Sequence, residues 1–410
     1  MSISQLFPEE GPTLNLNFAG SRTLDPRITF TRTSTGTYMG SDGLIKVASA
    51  NSPRFDHRYV NGEIESLGLL IEESRVNYAL RSEEFNLSPN SAINASISPN
   101  ATIAPDGTLT ADKLVEDNIS SIYKRVQQGG FTVSGDYTVS FFVKEAGRYR
   151  GYIQLLNTTN ASVSFNLQDG TASGIVPSRT KIEPYPNGWY RVSTSNTFNA
   201  GETPTVYIVM LSDSGQSTYT GDGSSGLYIW GLQVEPGAFP TSYIPTSGST
   251  ATRNPDNASM TGSNFSSWYN PNEGTIFCSA NSNPGVTTST SRIFYAFRNS
   301  ASPSGNFIRK WIWNGNTGLL LNSIYTSDGG PIAAEFSTSL ETGNKKTAIS
   351  YKQNDFARSY NGSVPLTDGG GNTPVGVNEL QIGTNLSGHI SQLTYYPTRL
   401  PNSQLQALTR

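Results

Sequence analysis

The stretch Tyr137-Thr138-Val139-Ser140-Phe141-Phe142-Val143 decides the fold. Side chains of an extended chain alternate between two faces, so Tyr137, Val139, Phe141 and Val143 share one side. An apolar face of that kind belongs in a core, and a strand is predicted. Working outward, similar runs recur at 111–115, 122–127, 151–156, 161–167, 189–197, 206–211 and 227–234. Between them stand Pro105-Asp106-Gly107, Asp169-Gly170, Pro186-Asn187-Gly188 and Gly221-Asp222-Gly223, whose Gly and Asn tolerate the left-handed backbone of tight turns. About eight strands at this spacing predict a sandwich or jelly roll over 76–245.

A second β series runs through 275–280, 292–298, 306–313, 318–325, 345–352, 355–360, 380–383 and 389–395, with Asn361-Gly362 closing a hairpin. It predicts a second sandwich over 273–410, ending in a short capping helix at 401–409. Residues 246–272 are rich in Ser, Thr, Asn, Gly and Pro and are expected to be a linker. Residues 1–75 hold short alternating strands and many turn formers but little apolar surface, so an extended N-terminal arm or docking segment is expected. The predicted class is all-β: two β-sandwich (jelly-roll) domains in tandem, with that arm in front.

Composition agrees with strands joined by turns. Only 14% of the 410 residues are charged, while Gly (40) and Pro (23) are frequent. A net charge of −3, with no basic run longer than Lys345-Lys346, makes nucleic acid an unexpected partner. Membrane insertion is not expected either, because no apolar run approaches the ~20 residues a span requires. The beginning Met1-Ser2-Ile3-Ser4-Gln5-Leu6-Phe7 lacks the features of a signal peptide, so synthesis in a cytoplasm without export is expected. The single cysteine, Cys278, rules out an intramolecular disulfide framework and reads as a small buried hydrophobe.

Groups that could break bonds are sparse. The two histidines, His57 and His389, lie far apart in separate predicted regions, and neither sits in a recognisable nucleophile–base signature. The densest acid pairs, Glu72-Glu73 and Glu83-Glu84, are neighbours on extended chain and face opposite ways, which argues against either forming a paired-carboxylate site alone. No enzyme is expected, and no cofactor. Loops at Asp213-Ser214-Gly215, Gly221-Asp222-Gly223 and 368–372 hold the oxygen ligands of a structural Ca²⁺, although turn geometry alone explains them. Sugar recognition uses aromatic faces beside polar side chains. The glycan-binding candidates are Tyr149 and Tyr152 near Arg148 and Arg150, Tyr185 and Trp189 beside Pro186-Asn187-Gly188, Tyr219 near Asp222, and Trp268 and Tyr269. The run 307–313 places Phe307, Arg309, Trp311 and Trp313 on one face and Ile308, Lys310 and Ile312 on the other, both mixed, and is compatible with a contact surface or a core wall.

Three groups of residues carry a resemblance. Leu24-Asp25-Pro26-Arg27-Ile28-Thr29-Phe30-Thr31-Arg32-Thr33-Ser34-Thr35-Gly36-Thr37-Tyr38, Asn51-Ser52-Pro53-Arg54-Phe55-Asp56 and Gly68-Leu69-Leu70-Ile71-Glu72-Glu73-Ser74-Arg75-Val76-Asn77-Tyr78, followed by Arg81-Ser82-Glu83-Glu84-Phe85, resemble segments of tailed-phage (bacteriophage and prophage) virion structural proteins. Asp106-Gly107-Thr108, Ala111-Asp112-Lys113-Leu114, Gly188-Trp189-Tyr190-Arg191, 228–235 and Thr241-Ser242-Tyr243-Ile244-Pro245-Thr246 with Thr252-Arg253 resemble jelly rolls of the carbohydrate-binding-module type. Gly388-His389-Ile390, Tyr395-Tyr396-Pro397 and 400–409 are similar to concanavalin A-like or laminin G-like sandwiches. The resemblance implies a virion component such as a tail fibre, tail-associated or head decoration protein. Its implied partners are other virion proteins, further copies of itself and host cell-surface glycans. A polysaccharide depolymerase of a phage particle is the alternative.

Overall fold

The computed structural model describes residue 8 and residues 10–282, 291–301, 305–312, 319–325, 334–339 and 344–410. Trp313 and the first seven residues, both used above, lie outside the described residues. The chain is all-β, with two sandwiches. The first is a jelly roll of two six-stranded sheets. One sheet runs Lys181–Pro184, Tyr190–Glu202, Val133–Ala146, Gly226–Pro236, Ala111–Glu116, Ala95–Thr102. Facing it are Thr171–Gly174, Asn160–Asn166, Arg150–Leu156, Thr205–Met210, Arg125–Gln128 and Ser91–Ile93. Tyr137, Val139, Phe141 and Val143 point into the core between them, with Ile153, Val163 and Ile208 opposite.

The second sandwich is not built from 273–410 alone. Its central strand Gly388–Tyr396 pairs with Glu273–Ser282 on one side and with both Leu14–Leu16 and Glu63–Ile71 on the other. In the opposing sheet, Thr29–Thr31 pairs with Asn257–Thr261, which pairs with Glu379–Thr384. The expected arm therefore supplies strands to the second sandwich, and the expected linker supplies another. The jelly roll is inserted between them, and Arg75–Asn77 paired with Ala251–Arg253 closes its base. The reason is the ladder itself. Short strands with little apolar surface cannot stand alone, but each is stable as one more rung on a sheet whose core lies elsewhere in the chain. Leu14, Leu16, Phe18, Ile28, Phe30, Leu69 and Ile71 join the same core as Ile276, Phe297 and Leu393. The helix Asn402–Thr409 caps this sandwich, burying Leu405 on Phe277, Ala348 and Ala357.

The quoted strand is buried on both faces. Its other side, Thr138, Ser140 and Phe142, lies under the junction between the bodies rather than in water. Phe142, Trp230, Tyr243 and Trp189 form a third core there, joined by Ile45 from the hairpin Gly36–Met39/Ile45–Ala48.

The residues that carry the resemblance meet at this junction. Arg54 donates to Glu72 at 2.7 Å and to Asp256 at 2.5 Å. Arg32 donates to Asp256 at 3.0 Å, and Arg253 lies 3.2 Å from Glu72. Ser242 closes on Glu72 with its backbone N–H at 2.7 Å and its hydroxyl at 2.6 Å. All five charged groups are buried. Burial alone would raise the Glu72 carboxyl, but Arg253, Arg54 and the Ser242 donors together hold it well below the usual carboxylate range. Asn77 is satisfied throughout: its amide donates to the carbonyls of Leu232 and Ile244 and accepts from the N–H groups of Ala79 and Val234.

Candidate functional site

Paired residues of an antiparallel ladder point to the same face. On the outward side of the jelly roll's second sheet, Ile93, Arg125, Val209, Tyr152 and Ser164 form one row across five strands. The next row is Ser91, Gln127, Tyr207, Gln154 and Ser162. The same strands aim Val126, Ile153, Val163 and Ile208 into the core, so alternation alone delivers the polar and aromatic groups to the surface.

The centre of this face is Arg125. Its guanidinium lies 4.6 Å from the centre of the Tyr207 ring and 5.6 Å from that of Tyr123, and its Nε donates to Gln127 at 3.1 Å. Tyr123, 38% exposed, holds a left-handed backbone with φ of 57° that turns it over the sheet edge. Val209 is fully covered beneath these side chains. Burial pushes the half-buried Tyr152 hydroxyl above its ordinary value, with Tyr123 adding to the effect and Arg125 opposing it, so it stays a protonated donor. Among the described residues no carboxylate lies within ion-pair distance of Arg125 or Arg150. The face thus offers stacked rings, an uncompensated guanidinium and two amide side chains. That combination can hold a sugar by stacking and by hydrogen bonds to hydroxyl or acid groups.

Of the residues singled out from sequence, only Tyr152 stands in these rows. Tyr149 is partly packed on the core, under the Arg150 guanidinium 5.6 Å from its ring centre. Arg148 makes two 2.9 Å bonds to Glu116, which also accepts from the Tyr219 hydroxyl at 2.8 Å. Tyr219 is therefore bound into a satisfied cluster. Trp189 is 2% exposed, with its indole N–H on the Ile103 carbonyl, and Trp268 is buried against Phe265, Phe297 and Tyr395. Tyr269 packs in the same aromatic group. Trp189 and Trp268 are closed to a ligand because each fills a core, a correction to the sequence expectation. Tyr185 lies in a cleft between the two bodies, edge-on to Phe142 at 4.9 Å.

Sequence reasoning missed Tyr123, Arg125 and Tyr207. Their signal was their place between inward Val126, Val206 and Ile208. The histidines, expected in separate regions, line one cleft. The acid pairs do diverge: Glu72 enters the buried network and Glu73 pairs with Arg75 at 2.6 Å, while Glu83 accepts from Tyr243 and Glu84 from Arg81. Asp222 accepts from the backbone and hydroxyls of Ser224 and Ser225, so its loop closes on itself. Among the described residues no group of three or more His, Cys, Asp or Glu side chains could hold a metal ion, and no helix is long and apolar enough to cross a membrane.

No family model and no curated protein matches the chain. Among solved structures, the carbohydrate-binding module CBM40 of the Ruminococcus gnavus IT-sialidase, bound to α2,6-sialyllactose, is 14% identical over 36% of this chain and 88% of its own, with a TM-score of 0.30. Mouse laminin α1 domains LG4-5 are 10% identical over 80% of this chain and 90% of theirs, with a TM-score of 0.21. The GH43 protein BlXynB of Bacillus licheniformis is 10% identical over 88% of this chain and 86% of its own, at 0.24. Likenesses this low carry no assignment of function.

Proposed function

We propose that this chain is a surface protein of a phage particle, in tail, fibre or head decoration, that holds host glycans on the open sheet face of its inserted jelly roll. The carrying observation is Arg125, stacked between Tyr207 and Tyr123 beside Tyr152, Gln127 and Gln154 and lacking an acidic neighbour. A guanidinium in that state favours glycans bearing a carboxylate or sulfate group. The two rows carry aromatic, amide, hydroxyl and guanidinium groups, a lining that supports binding at this face. The phage assignment is supported by the motif set, whose Arg32, Arg54, Glu72 and Asn77 stand at the junction between bodies, where Ser242 and Arg253 of the carbohydrate-binding-module-type motifs meet them. Particle proteins are built in repeated copies, so contacts with other virion proteins and with further copies of this chain belong to the same reading.

A glycan array with the purified protein tests the binding. Acidic glycans should be retained by the wild type and lost by Arg125→Ala and Tyr152→Ala, both outward residues whose removal leaves the core intact. An array with no ligand, or with ligands indifferent to both substitutions, would refute the site. Immunogold labelling of purified virions tests the location separately, and unlabelled particles would remove the phage reading while leaving the binding face standing.

A further inference from the structure

Between the two sandwiches lies a cavity of roughly 350 Å³, walled by residues of both. The second sandwich contributes Asp56, His57 and His389; the jelly roll contributes Phe142, Tyr185 and Arg191. His57 Nδ1 stands 2.9 Å from the Met39 carbonyl oxygen. A carbonyl only accepts, so Nδ1 carries the proton, and in the neutral ring Nε2 is an acceptor. That Nε2 is buried without a partner, on a side chain 6% exposed.

Arg191, equally buried, gives its terminal nitrogens to the Thr241 carbonyl at 2.8 Å and the Ser140 hydroxyl at 3.0 Å, leaving its Nε without a partner. Unpartnered Nε atoms recur on other buried arginines, Arg54 and Arg253 among them, so the orphan that marks this cavity and calls for an explanation is the His57 acceptor, with Arg191 Nε a second polar atom still open beside it. Asp56 is already engaged, by the Met39 N–H and by His389 Nε2, each at 2.7 Å. Burial holds the Tyr185 hydroxyl in its protonated form, with Arg191 opposing and the Glu183 and Asp56 carboxylates reinforcing it.

We propose that this junction cleft binds one neutral sugar or polyol. Such a molecule carries hydroxyls that both donate and accept, matching His57 Nε2 and Arg191 Nε, and its C–H face can lie on Tyr185. Arg58, Lys181 and Arg191 face Asp56, Glu72 and Glu183 around the wall, a balance of charge that suits an uncharged ligand. The volume falls within the ~300–1,000 Å³ of small-molecule sites. This site is separate from the open sheet face and does not depend on it. Because the ligand touches both bodies, it stabilises the native junction by mass action.

The test is thermal unfolding of the full chain with free glucose, galactose, N-acetylglucosamine and sorbitol, and with maltotriose and chitotriose. At least one probe should raise Tm in a saturable way, and protection by a trisaccharide equal to that by its monomer would identify a chain end as the occupant. The apparent affinity should fall about tenfold or more in His57→Phe. Tyr185→Ala, at the wall and only partly buried against the edge of the third core, serves the same purpose if His57→Phe does not fold. Arg125→Ala should lose array binding yet keep this shift. No protection by any probe, or protection unchanged in both cleft variants, overturns the proposal without touching the open face.

Discussion

Arg125 and Lys310 are both cations with no carboxylate at ion-pair distance among the described residues, and their surroundings give them opposite roles. Arg125 stacks on rings at the surface, where its charge can be shared with a ligand. Arg125→Lys keeps the charge but not the planar stack, so glycan affinity should drop by about 1 kcal/mol, roughly fivefold, on titration with an acidic glycan. Lys310 is sealed in the second core, where its ammonium donates to the Lys345 carbonyl at 3.2 Å and lies 4.9 Å from the centre of the Phe294 ring. Burial pushes its pKa down, with Cys278 opposing. A lysine lowered in the folded state binds fewer protons there than in the unfolded chain, so the protein gains stability as pH rises from the folded value toward ~10.4. Lys310→Met should therefore raise stability by about 1–3 kcal/mol at neutral pH, with the gap closing under alkaline conditions in urea titrations. The role of Lys310 was not legible from residue type, because the run 307–313 alternates without a clean apolar face.

At the scale of the element, Gly68 shows how a strand from the front of the chain is fitted to one near its end. Its φ is +94°, and a Cβ there would meet the Ile390 carbonyl oxygen at 2.4 Å. The ladder slips at the same place, where Asp56 faces Gly68 but His57 faces Ser66. Gly68→Ala combines left-handed strain with a backbone clash, so it should cost about 2 kcal/mol or more, read as a lowered Tm of the whole protein. Strand Val133–Ala146 carries the complementary lesson. Its inward face was readable from alternation, whereas the burial of Ser140 and Phe142 was not, since their cover comes from Arg191, Tyr185 and Tyr243 at distant positions.

At the scale of the molecule, the buried ion network ties the insertion to its host. Glu72, held below the ordinary carboxylate range in the folded state, contributes stability in full above the unfolded value near ~4.3 and loses it as pH falls toward the folded one. Glu72→Gln strips Arg54 and Arg253 of a partner and should cost about 3 kcal/mol at neutral pH, with a shallower acid limb in a stability–pH series. The topology predicts unequal fragments. Residues 76–250 keep both jelly-roll sheets and should give a cooperative unfolding transition. Residues 273–410 lack Leu14–Leu16, Thr29–Thr31, Glu63–Ile71 and Asn257–Thr261, and should show no cooperative melt by circular dichroism.

The sequence by itself determined the all-β class, the jelly-roll strands, the capping helix and the divergence of the adjacent acids, because alternation, turn chemistry and strand geometry act over a few residues. Only the tertiary structure decided that the front of the chain completes the last sandwich, that Trp189 and Trp268 are core, and that Tyr123, Arg125, Tyr152 and Tyr207 share a surface. Those facts depend on which strands pair. Strand pairing is set by the total apolar area buried across positions hundreds of residues apart, as when Leu14 faces Tyr395, and no local window of sequence contains that sum.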